Sequence, residues 1–352
     1  MKKKFSLLIF SALAVFAVLM VMPSCEGPQG PAGPQGPAGV DGTDGTDGVD
    51  ANSFCINCHT MEIKNTVNTQ FAMSTHAMGP SVGYAGGRND CAMCHSYQGA
   101  METMLTGMDT TAAGFDLPVA FQCDMCHDFH MTLEEDEFPD YALRNNKPVS
   151  LLMDNHATTI DLPGSGNLCA YCHQTRRATA AFGSGEEVNV SSTHWGGHHG
   201  PQGNILAGTG AYEVTGSMEI GNTAHSNATG CSDCHMVKNA GNMYVGGHTW
   251  MMSDESGNEN IMACTDCHDG ATSFDLGGLQ TEVHNLLEEL GGMLEEHGLI
   301  EEGHPVPGMR SEQEAGAVFN YILFEEDRSL GVHNPKYVKA LLTNTIEMVE
   351  SW

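Results

Sequence analysis

Six copies of one five-residue pattern, Cys-x-x-Cys-His, constrain this chain more than any other feature. They are Cys55-Cys58-His59, Cys91-Cys94-His95, Cys123-Cys126-His127, Cys169-Cys172-His173, Cys231-Cys234-His235 and Cys264-Cys267-His268. Twelve of the thirteen cysteines are used in this way. A zinc site or a redox disulfide needs two cysteines at this spacing but gives no reason for a histidine after every pair. Covalent attachment of haem c does. Two thiols add across the two vinyl groups, and the next residue holds the iron from one side. The pattern therefore predicts six haem c groups, with His59, His95, His127, His173, His235 and His268 as proximal ligands.

Composition agrees with that load. Aromatic residues are 7% of the chain and glycines number 42 of 352. Such a chain has little side-chain area to set against its conformational entropy. Large planar apolar cofactors would replace much of the side-chain core. The expected fold is mainly α with extensive coil, a multihaem cytochrome c packed around six covalently bound haems, with helices at the carboxy terminus.

Eighteen histidines are present, so twelve lie outside the motifs and face six remaining axial positions. This excess predicts mostly bis-histidine irons. His76 and His156 lie in polar loops between motifs. His130 follows His127 too closely to reach the far face of the same haem and would serve a neighbour. His225 comes six residues before a motif cysteine, His248 lies in GGHTW, and His333 lies in GVHNPKY. His194, His198 and His199 cluster in THWGGHHGPQGN, where one can ligate and another can line a pocket; His199 is taken as the candidate. His284, His297 and His304 belong to an acidic helical stretch and are expected to be solvated.

Several segments of the second half, HHGPQ, TAHSNATGCSDCHM, GGHTWMM and NYILFEEDRSLGVHNPKYVKALL, carry a family resemblance. They resemble the superfamily of ammonia-forming cytochrome c nitrite reductase and hydroxylamine oxidoreductase over residues 85–352. The resemblance implies that His225, His248 and His333 are distal ligands and that haem pairs stack or meet at right angles. It also implies a catalytic haem at Cys91 and Cys94, where the nitrite reductases commonly carry lysine and this chain has His95. The family's catalytic tyrosine has no match in CAYCHQTRRATA, where Arg176 and Arg177 stand instead. Arg88 and His199 are the remaining weak catalytic candidates.

At the amino terminus, Lys2 to Lys4 precede an apolar run from Phe5 to Met22, the pattern of a secretory signal. Pro23-Ser24-Cys25 then resembles a lipobox, and cleavage would free Cys25 for lipidation. An uncleaved anchor is the alternative, since the run could nearly span a bilayer. From Gly27 to Asp50 a glycine recurs every third residue, as in collagen. Aspartates repeat in the second half of this stretch, which reads as an extended spacer, with a trimerisation stalk as the alternative. The expected organisation is a signal at 1–24, lipidated Cys25 and spacer at 25–50, a hexahaem domain at 51–275 and a helical segment at 276–352.

Within that last segment, 281–299 has helical apolar spacing broken at Gly291-Gly292. Ser311 with Glu314 marks one helix start, and Pro335 marks another. These helices are expected to cover haems, and a homodimer through them is possible. The formal net charge is −30, which argues against nucleic-acid partners and favours basic ones. Two functions remain: an electron relay between redox proteins, such as other cytochromes or a membrane quinol-oxidising complex, or an oxidoreductase acting on nitrite, hydroxylamine or a similar small substrate at one open haem. A structural or filament-forming subunit is a third option, suggested only by the triplet stalk.

Overall fold

The computed structural model describes residues 59–129, 142–176, 182–183 and 185–352. The signal run, Cys25, the glycine triplets, Cys55, Cys58, His130 and Arg177 lie outside the described residues.

Long helices form where capping and apolar spacing agree. Helix α1 spans Met61–Met73, and Thr60 accepts the Ile63 N–H at 3.1 Å. Helix α2 spans Tyr97–Thr106, capped by Ser96 on the Gly99 N–H and closed by left-handed Gly107. Helix α3 spans Leu279–Glu296, α4 spans Glu312–Asp327 and α5 spans Pro335–Glu350. At the start of α4 the expected capping box forms, with Ser311 Oγ accepting from Glu314 N and Glu314 accepting from Ser311 N at 2.8 Å.

The expected break at Gly291-Gly292 does not occur; α3 runs through both. A side chain on Gly291 would meet the Tyr321 ring at 3.0 Å, so that glycine permits close helix packing rather than ending a helix. Val283, Leu287, Leu290 and Leu294 form one buried face of α3. They pack with Phe319 and Leu323 of α4 and with Tyr337, Leu341 and Leu342 of α5. Burial of each such side chain contributes roughly 1.5–3 kcal/mol, so this bundle is the main apolar anchor of the chain.

The motif-bearing half is built differently. Between residues 59 and 129 the buried hydrophobic side chains are Ala85, Ala92, Met93, Ala100 and Met125, all small or flexible. Sheet structure among the described residues is limited to three antiparallel strand pairs; one joins Val188–Val190 to Gly308–Arg310.

Buried amides tie the two halves together. Asn320 accepts from Tyr212 N and donates to Tyr212 O, each at 2.8 Å. Asn344 accepts from Met218 N at 3.0 Å and donates to Val214 O at 2.9 Å. These bonds satisfy backbone groups of a loop that packs against the bundle.

Candidate functional site

Each described motif winds into about one helical turn. The N–H of His127, His173 and His268 bonds back to the carbonyl of the first cysteine four residues earlier, at 3.0, 2.9 and 2.8 Å. Residues i, i+3 and i+4 share one face of such a turn. Both thiols and the imidazole therefore project to the same side, which is what the Cys-x-x-Cys-His spacing accomplishes. The ten described cysteines form no disulfides. Among the described residues, no three His, Cys, Asp or Glu side chains gather closely enough to hold a bare metal ion.

Five motif histidines each face one histidine from outside the motifs. The ring centroids are 6.1 Å apart for His173 and His76, 6.2 Å for His95 and His198, and 6.2 Å for His127 and His248. They are 6.0 Å apart for His268 and His225, and 6.3 Å for His235 and His333. A ligating imidazole nitrogen sits about 2.0–2.1 Å from its metal, so two imidazoles across one ion would place their centroids about 6.3 Å apart. All five pairs meet that spacing. Three pairs cross steeply, at 77–89°, and two lie at 32° and 35°.

Several rings are oriented through Nδ1. His225 bonds Val332 O at 2.7 Å, His235 bonds Trp250 O at 2.9 Å, and His173 bonds Gln202 Oε1 at 3.2 Å. His333 bonds Asp327 Oδ1 at 2.7 Å. Oxygens of these kinds only accept, so Nδ1 carries a proton and the lone pair of the neutral ring is on Nε2. Burial favours the neutral ring at His76 and His248, whose pKa values fall to about 4. Burial also lowers those of His173, His235 and His95.

The elements that aim these rings are specific. Buried Gln70 of α1 accepts from His248 N and donates to Met243 O, each at 3.2 Å, and so clamps the GGHTW loop. Gly246 in that loop has φ +65°, and a Cβ there would lie 1.8 Å from Val237 O. Trp250 packs on His76 at 4.8 Å and on His248 at 5.4 Å, while its carbonyl holds His235. One residue thus touches three imidazole pairs. Neighbouring motifs also adjoin. Cys172 Sγ lies 3.7 Å from Met93 O, and Cys231 Sγ lies 3.9 Å from Gly166 O.

Not every expected residue joins the pairs. Opposite His95 stands His198, whereas His199 turns to Glu326, with Nδ1 at 2.6 Å from its carboxylate. His198 has a left-handed backbone, φ 71°, which swings its ring inward. His156 is engaged elsewhere: Nδ1 bonds Ser150 O at 3.1 Å and Nε2 bonds Asp109 at 2.8 Å. Both of its nitrogens donate to acceptors, which favours the cation and leaves no lone pair for a metal. Arg88 is exposed and lies over the Tyr84 ring at 4.5 Å. Arg176 instead lines the space beside His95, with its Nε buried and unpartnered.

One continuous cavity of about 3230 Å³ collects these groups. It is lined by the thiols and imidazoles of the five described motifs, Cys123 apart, by His59, and by the five facing histidines. Ordinary ligand pockets measure about 300–1,000 Å³, so the space suits several large bodies rather than one. The residues fit the cofactor that the motifs imply: paired thiols for attachment, paired imidazoles for the axial positions, and apolar volume for the ring.

This architecture is the fold of a multihaem cytochrome. The chain is similar to the outer cell wall cytochrome OcwA, with a TM-score of 0.51 and 21% identity. The match covers 80% of this chain and 50% of OcwA. A second similar structure is the undecahaem cytochrome from the S-layer of Carboxydothermus ferrireducens, with a TM-score of 0.45, 18% identity, and coverage of 79% and 40%. The chain thus spans half the length of the first relative or less of the second. No protein-family model and no curated protein matches it.

Proposed function

We propose that the chain is an exported, membrane-tethered hexahaem c-type cytochrome that relays electrons between redox partners. One observation carries this reading: five motif imidazoles each face a second imidazole at 6.0–6.3 Å around one cavity. Bound haem c supplies a one-electron iron couple. The protein's own residues supply geometry. The thiols would attach the group, the five imidazole pairs would take its axial positions, and the Nδ1 acceptors orient the rings that would hold it. Closed axial positions favour passage of electrons over binding of substrate.

Support for export comes from the amino-terminal signal pattern and from the cell-wall location in the name of OcwA. Cys25 would carry the lipid, and the triplet stretch would space the haem domain from the membrane. Among the described residues no helix is long and apolar enough to cross a membrane. Basic redox proteins, other cytochromes or a quinol-oxidising complex would dock on the acidic surface. The positions of His225, His248 and His333 support kinship with the nitrite reductase and hydroxylamine oxidoreductase superfamily.

Protein-film voltammetry of the purified holoprotein tests the reading. Reversible electron exchange, unchanged by nitrite or hydroxylamine, is the expected result. A catalytic current with either substrate would instead make the chain an oxidoreductase.

A further inference from the structure

Asp327 ends α4 with its side chain 2% exposed. The negative end of a helix dipole and a buried setting both disfavour a carboxylate there. Two partners compensate. Oδ1 accepts the His333 Nδ1–H at 2.7 Å, and Oδ2 accepts from the Ser329 hydroxyl. His333 in turn faces His235. Among the rings that form the five pairs, the other Nδ1 partners described above, Val332 O, Trp250 O and Gln202 Oε1, are neutral oxygens.

We propose that Asp327 is a positioning residue that holds the redox potential of the haem at Cys231 and Cys234 below the value a neutral acceptor would give. This rests on the hexahaem reading. A carboxylate on Nδ1 draws the proton toward itself and makes Nε2 a stronger electron donor. A stronger axial donor stabilises the ferric over the ferrous iron, which lowers the potential. Ser329 moderates the effect, because its hydroxyl spreads part of the carboxylate charge. Charge and geometry at this one helix end therefore tune one centre among six, and that centre adjoins the motifs at Cys169 and Cys264.

The test is a spectroelectrochemical titration of the holoprotein with Asp327→Asn and with Ser329→Ala. Asparagine keeps an oxygen for His333 but removes the charge, so one midpoint should rise while five stay. Ser329→Ala leaves the carboxylate less shared, so the same midpoint should fall. A role confined to packing predicts neither opposed shift. If Asp327→Asn does not fold, Ser329→Ala alone decides, since an unmoved midpoint overturns the proposal. Six midpoints identical to wild type in either fully loaded variant also overturn it, as does a fall in Asp327→Asn. A wild-type protein with fewer than six haems would instead defeat the hexahaem reading, and haem content is measured on the same samples.

Discussion

The His95 and His198 rings face each other with centroids 6.2 Å apart. This pair occupies the motif at Cys91 and Cys94, where the resemblance to nitrite reductases implies a catalytic haem. On the proposed reading an imidazole on each side would close that position, while His199 pairs with Glu326.

Exchanging those two histidines should separate their roles. His198→Ala is expected to convert one iron in six from low spin to high spin and to let it bind added azide. His199→Ala is expected to leave every spin state as in wild type. Electron paramagnetic resonance with visible titration reads both outcomes. The opposite assignment would make His199 the ligand.

The loop carrying His248 gives a second expectation. Gly246→Ala places a methyl 1.8 Å from Val237 O, on a backbone at φ +65°. The loop must move, and the low-spin signal of the His127–His248 pair should be lost. Gly257→Ala is the control. Its φ is +79° with nothing within 4 Å. It carries only the left-handed strain of about 1–2 kcal/mol and should retain every signal.

Buried amides predict a stability effect without a spectroscopic one. Asn320→Ala strands the Tyr212 N–H and carbonyl, which it now pairs at 2.8 Å each. A loss of about 1–2 kcal/mol follows from unsatisfied, half-buried backbone groups. The denaturation midpoint should fall while the haem spectra of the folded protein stay unchanged.

His156 sets a pH dependence. The hydrogen bond to Asp109 raises its pKa above the usual value, with Ser150 O assisting. The stabilisation is therefore fully present below the unfolded-state pKa, about 6.5, and is lost as pH rises through the higher folded-state value. The pair is exposed, so its worth is on the order of 0.5 kcal/mol. Asp109→Asn should be less stable than wild type at pH 5 and indistinguishable at alkaline pH. A difference that grows with pH would refute this account of the pair.

How much of this could be read from the chain alone varies by physical cause. Motif positions and the starts at Ser311 and Pro335 are local signals, written within four or five residues, and they were legible. The pairing of His76, His225, His248 and His333 depends on distant contacts, yet their candidacy could be read because histidines outnumber axial positions. That His198 rather than His199 faces His95 could not, since it goes with a backbone at φ 71° and with the ion pair of His199 to Glu326. Asp327 and Gln70 carry no sequence mark at all; each matters through a partner that only folding supplies. Gly291 was misleading, because the spacing that suggested a break belongs to a close approach by Tyr321.

The most direct test of the central claim is electron paramagnetic resonance of the fully oxidised, purified protein, with spins integrated against haem content. Six haems per chain are predicted, with five low-spin ferric centres from the five imidazole pairs. The pairs at 32° and 35° should give two rhombic signals, and the three crossing at 77–89° should give strongly anisotropic ones. Fewer than five low-spin irons, or fewer than six haems per chain, would contradict the account.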